Sequence, residues 1–147
     1  MPRHEMRARG LPHRAAYILV FNSEGELFVQ KRTGTKDIYP GYYDIAAGGV
    51  VLAGESYDQS AERELAEELG IRDIPLTPHF EFKHEDDANI VWGRVYSCIY
   101  DGALTLQEEE VESGFLADPK EVLVMSAKEP FTPDGLYVLK RFLNSKV

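Results

Sequence analysis

The sequence predicts an α/β (α+β) fold in which a mixed β-sheet is packed between helices. Three observations carry this expectation. Apolar runs flank a short polar turn near the N-terminus, one long amphipathic segment with helical spacing follows, and two segments near the C-terminus each open on a capping residue and a proline. At 147 residues with 44% hydrophobic content the chain is expected to form one domain with a substantial core. The boundaries expected are a basic arm over residues 1–14 and the folded domain over 15–147.

The arm carries Arg3, Arg7, Arg9 and Arg14 with His4 and His13, and little that could bury itself. A short helix or extended arm lying against its own acidic domain is the expectation. Ala15 to Phe21 is apolar and ends at Asn22-Ser23-Glu24-Gly25, after which Leu27, Val29 and Lys31 alternate with their neighbours, so two strands joined as a hairpin are predicted. A charged and aromatic loop follows, with Arg32, Lys36, Pro40-Gly41 and Tyr39, Tyr42 and Tyr43, leading to a short strand over Asp44 to Ala47. From Ser56 to Leu69 the stripe Ala61, Leu65, Leu69 marks a helix, opened by the turn Gly54-Glu55-Ser56 and closed at Gly70. Beyond Pro75 and Pro78, strands are predicted over His79 to His84 and Ile90 to Tyr100. Another is predicted over Val111 to Leu116, after the acidic run from Gln107 to Glu112. Asp118-Pro119 and Thr132-Pro133 then begin helices to about Ala127 and Asn144.

Within the central helix Glu64, Glu67 and Glu68 stand at i, i+3 and i+4, so they share one face. Three glutamates alone would make a solvated face. Like charges at this spacing repel, however, and in a pocket they need a counter-charge; clustered carboxylate oxygens suit Mg²⁺ or Mn²⁺. Gly48-Gly49 would let a backbone carbonyl approach such a cation, and Glu55 can pair with Arg63 as a brace between loop and helix.

This stretch resembles the Nudix box, matching at Gly49, Glu55, Arg63, Glu64, Leu65, Glu67, Glu68, Gly70 and Ile71. The resemblance implies a Nudix hydrolase with a Nudix-type α/β/α sandwich, cleaving a diphosphate linked to some moiety X with Mg²⁺ or Mn²⁺. It implies Glu67 and Glu68 as main metal ligands, helped by the Gly48 carbonyl. It makes Glu64 a further ligand or the base, Glu64 and Glu67 the catalytic pair, and Gly49, Glu55 and Arg63 their supports. A looser resemblance, over His13-Arg14, Leu27 to Lys36 and Pro40-Gly41, is to isopentenyl-diphosphate isomerases. It implies Arg32 and Lys36 as diphosphate contacts and His13 as a candidate ligand. Those isomerases need a Cys followed by a His near the start of the box, where this chain has Ala46-Ala47-Gly48-Gly49, so hydrolysis fits better than isomerisation. Nudix proteins often add a carboxylate from a loop before a strand, which points to Glu109 or Glu110 here, with Glu108 beside them. A noncatalytic ligand-binding module is the remaining alternative, and such relatives usually lose box glutamates that this chain keeps.

A formal net charge of -9 disfavours nucleic-acid polymers and anionic membranes as partners, leaving a small-molecule diphosphate as the expected one. The single cysteine, Cys98, excludes an intramolecular disulfide and reads as a buried small hydrophobe. No run approaches a membrane span and no secretory signal is evident, so a cytoplasmic location is expected. Trp92 reads as core or pocket wall, with stacking on a flat group the sharper alternative. A homodimer is common among relatives of the kind the resemblance implies.

Overall fold

The computed structural model describes residues 12–35, 39–85, 90–109 and 111–144. Its sheet is built around β1 (His13–Phe21), which is buried along most of its length as a continuous apolar run should be. On one side β1 runs parallel to β6 (Ile90–Ile99), from His13 opposite Val91 to Phe21 opposite Ile99. On the other side it is shared. Its first half pairs antiparallel with β4 (Ala47–Val50), and only its last residue meets β2 (Leu27–Arg32), at Phe21 opposite Leu27. The expected hairpin therefore forms and splays at once, and the two strands part to leave a cleft.

The far wall of that cleft is β2, flanked by β3 (Tyr43–Asp44) and β7 (Val111–Ala117), while β5 (Thr77–Glu85) pairs with β6. Side chains of β1 alternate between two cores, as strand geometry requires. Ala15, Tyr17 and Leu19 pack with Val122 of α2 (Pro119–Met125) and with Val138, Leu139 and Phe142 of α3 (Pro133–Asn144). Ala16, Ile18 and Val20 pack on the other face with Ala61, Leu65 and Leu69 of α1 (Tyr57–Leu69). The result is the mixed sheet between helices. Among the described residues no helix is long and apolar enough to cross a membrane.

The end signals of α1 act as their chemistry dictates. The Ser56 hydroxyl accepts the Gln59 N–H at 3.1 Å, the Gln59 side chain accepts the Ser56 N–H at 2.9 Å, and Gly70 closes the helix with φ 71°. Four expectations need correction. The sheet begins at His13, so His13 and Arg14 belong to the domain and not to an arm, because parallel pairing with β6 satisfies their backbone. The strand expected over Asp44 to Ala47 is two strands, because Asp44 pairs with β2 and Ala47 with β1 across the splay. Strand β5 starts at Thr77 and absorbs Pro78, which a strand paired on one side tolerates with a register shift before Phe80. Trp92 is 48% exposed and is not core.

Candidate active site

One arginine organises the box face. Arg63 grips both oxygens of Glu55, through Nε at 2.7 Å and Nη2 at 3.0 Å. Its Nη2 also donates to the Val50 carbonyl at 3.3 Å, and its Nη1 donates to Glu64 at 2.9 Å and Glu67 at 3.2 Å. The expected brace between loop and helix is present. The hydrogen bond from Arg63 holds the Glu55 carboxyl below its ordinary range, against the opposing effect of burial, and the guanidinium is itself pushed up by these carboxylates.

Glu68 is buried and its Oε2 accepts the Gly48 N–H at 3.1 Å, tying α1 to β4. Gly48 has φ +135°, and a Cβ there would stand against the Ala16 carbonyl oxygen, so glycine is what lets β4 close on β1. A Cβ at Gly49 would lie 2.8 Å from Glu64 Oε1. Glycine therefore makes room for that carboxylate.

The expectation of three convergent carboxylates needs refinement. Among the described residues no group of three His, Cys, Asp or Glu side chains is drawn together as a cation cradle. The reason is electrostatic: Arg63 supplies the counter-charge for Glu64 and Glu67, and the Gly48 amide binds Glu68. The donor set nonetheless fits a hard divalent cation. It consists of carboxylate oxygens about one helical turn apart, with Glu64 seated against Gly49 where a side chain would crowd it.

The cleft left by the splay has a volume of about 70 Å³ and joins this face to a polar floor lined by His13, Tyr17, Gln30, Arg32, Asp44 and Asp134, with Gly48 and Glu68 at its other end. Arg32 lies 3.6 Å from Asp44 Oδ2, and the Tyr17 hydroxyl donates to Asp134 Oδ2 at 2.7 Å. Burial, opposed by Arg32 and helped by neighbouring Asp134, leaves Asp44 pushed up to about 6. Burial and Asp134 together push the Tyr17 phenol well up.

Arg32 and His13 thus line the same cleft as Glu68 and Gly48. Lys36 and Glu110 lie outside the described residues. Glu109 is exposed, and its carbonyl accepts the Thr33 hydroxyl at 3.1 Å, which fastens the acidic loop beside the end of β2. Trp92 sits away from the cleft floor with Lys83 over its ring at 5.4 Å. Tyr43 stacks on Phe131 at 5.3 Å as a core edge, and Tyr39 and Tyr42 lie against each other at 5.4 Å. Sequence reasoning missed Tyr17, Gln30, Asp44 and Asp134. An acidic residue in a strand and another in the first turn of a helix carry no local mark of meeting.

The NUDIX domain family matches residues 11–142. An uncharacterized Nudix hydrolase of Pseudomonas aeruginosa is 47% identical over 145 residues, which covers 99% of this chain and 86% of that one. The uncharacterized Nudix hydrolase YfcD of Escherichia coli is 45% identical over 137 residues, 93% of this chain and 75% of its own. A crystal structure from Deinococcus radiodurans superposes with a TM-score of 0.80 at 24% identity, over 88% of this chain and 82% of that one, a likeness of fold.

Proposed function

The chain belongs to the Nudix family as one of its hydrolases, and from that premise we propose that it cleaves a diphosphate linkage in a small molecule of the nucleoside diphosphate-X type by water attack on phosphorus. The observation that carries the proposal is Glu64, Glu67 and Glu68 on one side of α1, with Glu64 against Gly49 and Glu68 bonded to Gly48 in a cleft that also contains Arg32.

Nudix hydrolases work with a divalent metal ion, and Mg²⁺ or Mn²⁺ held by Glu64, Glu67, Glu68 and the Gly48 carbonyl would offset phosphate charge and lower the pKa of water. The remaining work falls to the chain itself. Glu64, or a carboxylate of the 108–110 group, takes the proton as the water oxygen bonds to phosphorus and the bridging P–O bond breaks toward the leaving phosphate. Arg32, with Lys36, holds the phosphate that is not attacked, which fixes orientation. Glu55 and Arg63 keep α1 and its loop in register, and Gly49 leaves the space Glu64 occupies.

Isomerisation of allylic diphosphates is disfavoured. No thiol stands at 46–49, and Cys98 is buried in the core packed on α1 with its thiol pushed up to about 11. The charge of -9 supports a small-molecule substrate over a nucleic-acid polymer or an anionic membrane. The test is turnover of a panel of nucleotide, sugar and isoprenoid diphosphates with Mg²⁺ and Mn²⁺. Glu67→Gln is expected to lower kcat by about three orders of magnitude with the melting temperature kept. Near-normal turnover in that variant refutes the assignment.

A further inference from the structure

We propose that Asp44 is a positioning residue for Arg32: it holds the guanidinium within the cleft, in the place where a diphosphate would meet it. The inference rests on the hydrolase reading above and adds a residue from outside the box.

Three observations support it. Arg32 and Asp44 approach to 3.6 Å with each side chain only 15% exposed, so the pair is largely withdrawn from water and each limits where the other can go. Asp44 is itself fixed. Its Oδ1 accepts the Ala46 N–H at 3.3 Å, and its strand is clamped on both sides of Tyr43, whose N–H donates to the Pro130 carbonyl and whose carbonyl accepts the Thr132 N–H, each at 2.9 Å. That clamp sets the first turn of α3 against the Asp44 carboxylate, where a Cβ added at Gly135 would lie 2.9 Å from Oδ1. Arg32 and Asp44 also line the same cleft as Glu68, Gly48 and Gly49.

Arginine is rich in rotamers, and a long side chain that must settle into one orientation when its ligand arrives loses affinity accordingly. A carboxylate seated on a rigid clamp meets that cost during folding. Arg32 then offers its donors in a fixed fork, which suits two phosphate oxygens.

The test uses the full chain with Mg²⁺ and imidodiphosphate, a diphosphate analogue with a nitrogen bridge, and reads its Kd by calorimetry. Arg32→Ala is expected to weaken binding about 10- to 100-fold. Asp44→Asn should weaken it about 5- to 10-fold, and the double variant should be no weaker than Arg32→Ala alone. Gly135→Ala, whose Cβ crowds the Thr132 hydroxyl and the Asp44 carboxylate while keeping the charge of Asp44, should weaken binding in the same direction and carries the test if Asp44→Asn does not fold, with Thr132→Val as the control for the hydroxyl. Wild-type affinity or tighter binding in Asp44→Asn, with Arg32→Ala impaired, overturns the positioning role and leaves the hydrolase reading standing. Additive losses in the double variant overturn it too. Wild-type affinity in Arg32→Ala, or no binding by the wild type, removes the diphosphate role of the cleft and this inference with it.

Discussion

Replacing Arg63 by methionine removes the guanidinium and keeps most of the apolar stem, so it isolates the charge that binds the box face together. Arg63 is 26% exposed, Glu55 18%, Glu64 14% and Glu67 49%. A surface pair is worth about 0–1 kcal/mol, and breaking a buried one costs about 3–5 kcal/mol. The two-pronged contact with Glu55 lies between these limits, and the exposed Glu67 adds only a few tenths. A loss of about 2 kcal/mol at neutral pH follows, or about 4–8 °C in melting temperature for a chain of this size. The loss must also depend on pH in a defined sense. Arg63 lowers the Glu55 carboxyl in the folded state, so this pair contributes fully above the unfolded carboxylate pKa and fades as pH falls through the lowered folded value. Urea unfolding of both proteins in chelator, from pH 7 to pH 3.5, measures this directly. The deficit should be complete at pH 7 and shrink below about pH 4. No deficit at pH 7, or an equal one at both ends, would show that the network carries no charge-dependent stability.

Ser56→Ala removes the hydroxyl half of the capping box on α1 and should cost about 1 kcal/mol in thermal or urea unfolding, with equal loss in metal-free and Mg²⁺ buffers. Gly48→Ala should be far worse, about 3 kcal/mol or more, because the new Cβ meets the Ala16 carbonyl at a positive φ and must part β4 from β1; a melting temperature near that of the wild type would contradict the register. Cys98 should resist an aromatic disulfide reagent at pH 8 in the native protein and react in urea, since burial both hides the thiol and raises it; rapid native labelling would place it at the surface.

The parts of this structure legible in the sequence are those governed by local spacing. Ser56 starts and Gly70 stops α1 through bonds to atoms three to five residues away, and the Ala61, Leu65, Leu69 stripe fixes which side packs. Glu55 and Arg63 are eight residues apart across one turn, near enough for their pairing to be read from charge and position. The strands were equally plain where a face is buried, as along β1, whose odd and even residues feed two cores.

What escaped reading depends on contacts that leave no periodic trace. The splay of β1 from β2 comes from β4 inserting its Ala47–Val50 segment beside β1, an insertion made possible by one glycine at φ +135° and invisible to hydrophobic alternation. Asp44 and Asp134 meet because backbone groups of Tyr43 bond to Pro130 and Thr132, and main-chain bonds carry no side-chain signature. Their meeting has a chemical consequence. Burial raises the Asp44 carboxyl, nearby Asp134 adds to the rise, and Arg32 beside it holds the rise in check. The box wall therefore follows from short-range pattern and implies a reaction class. The polar remainder of the cleft, assembled from Tyr17, Gln30, Asp44 and Asp134, follows from topology, so spacing offers no guide to its members.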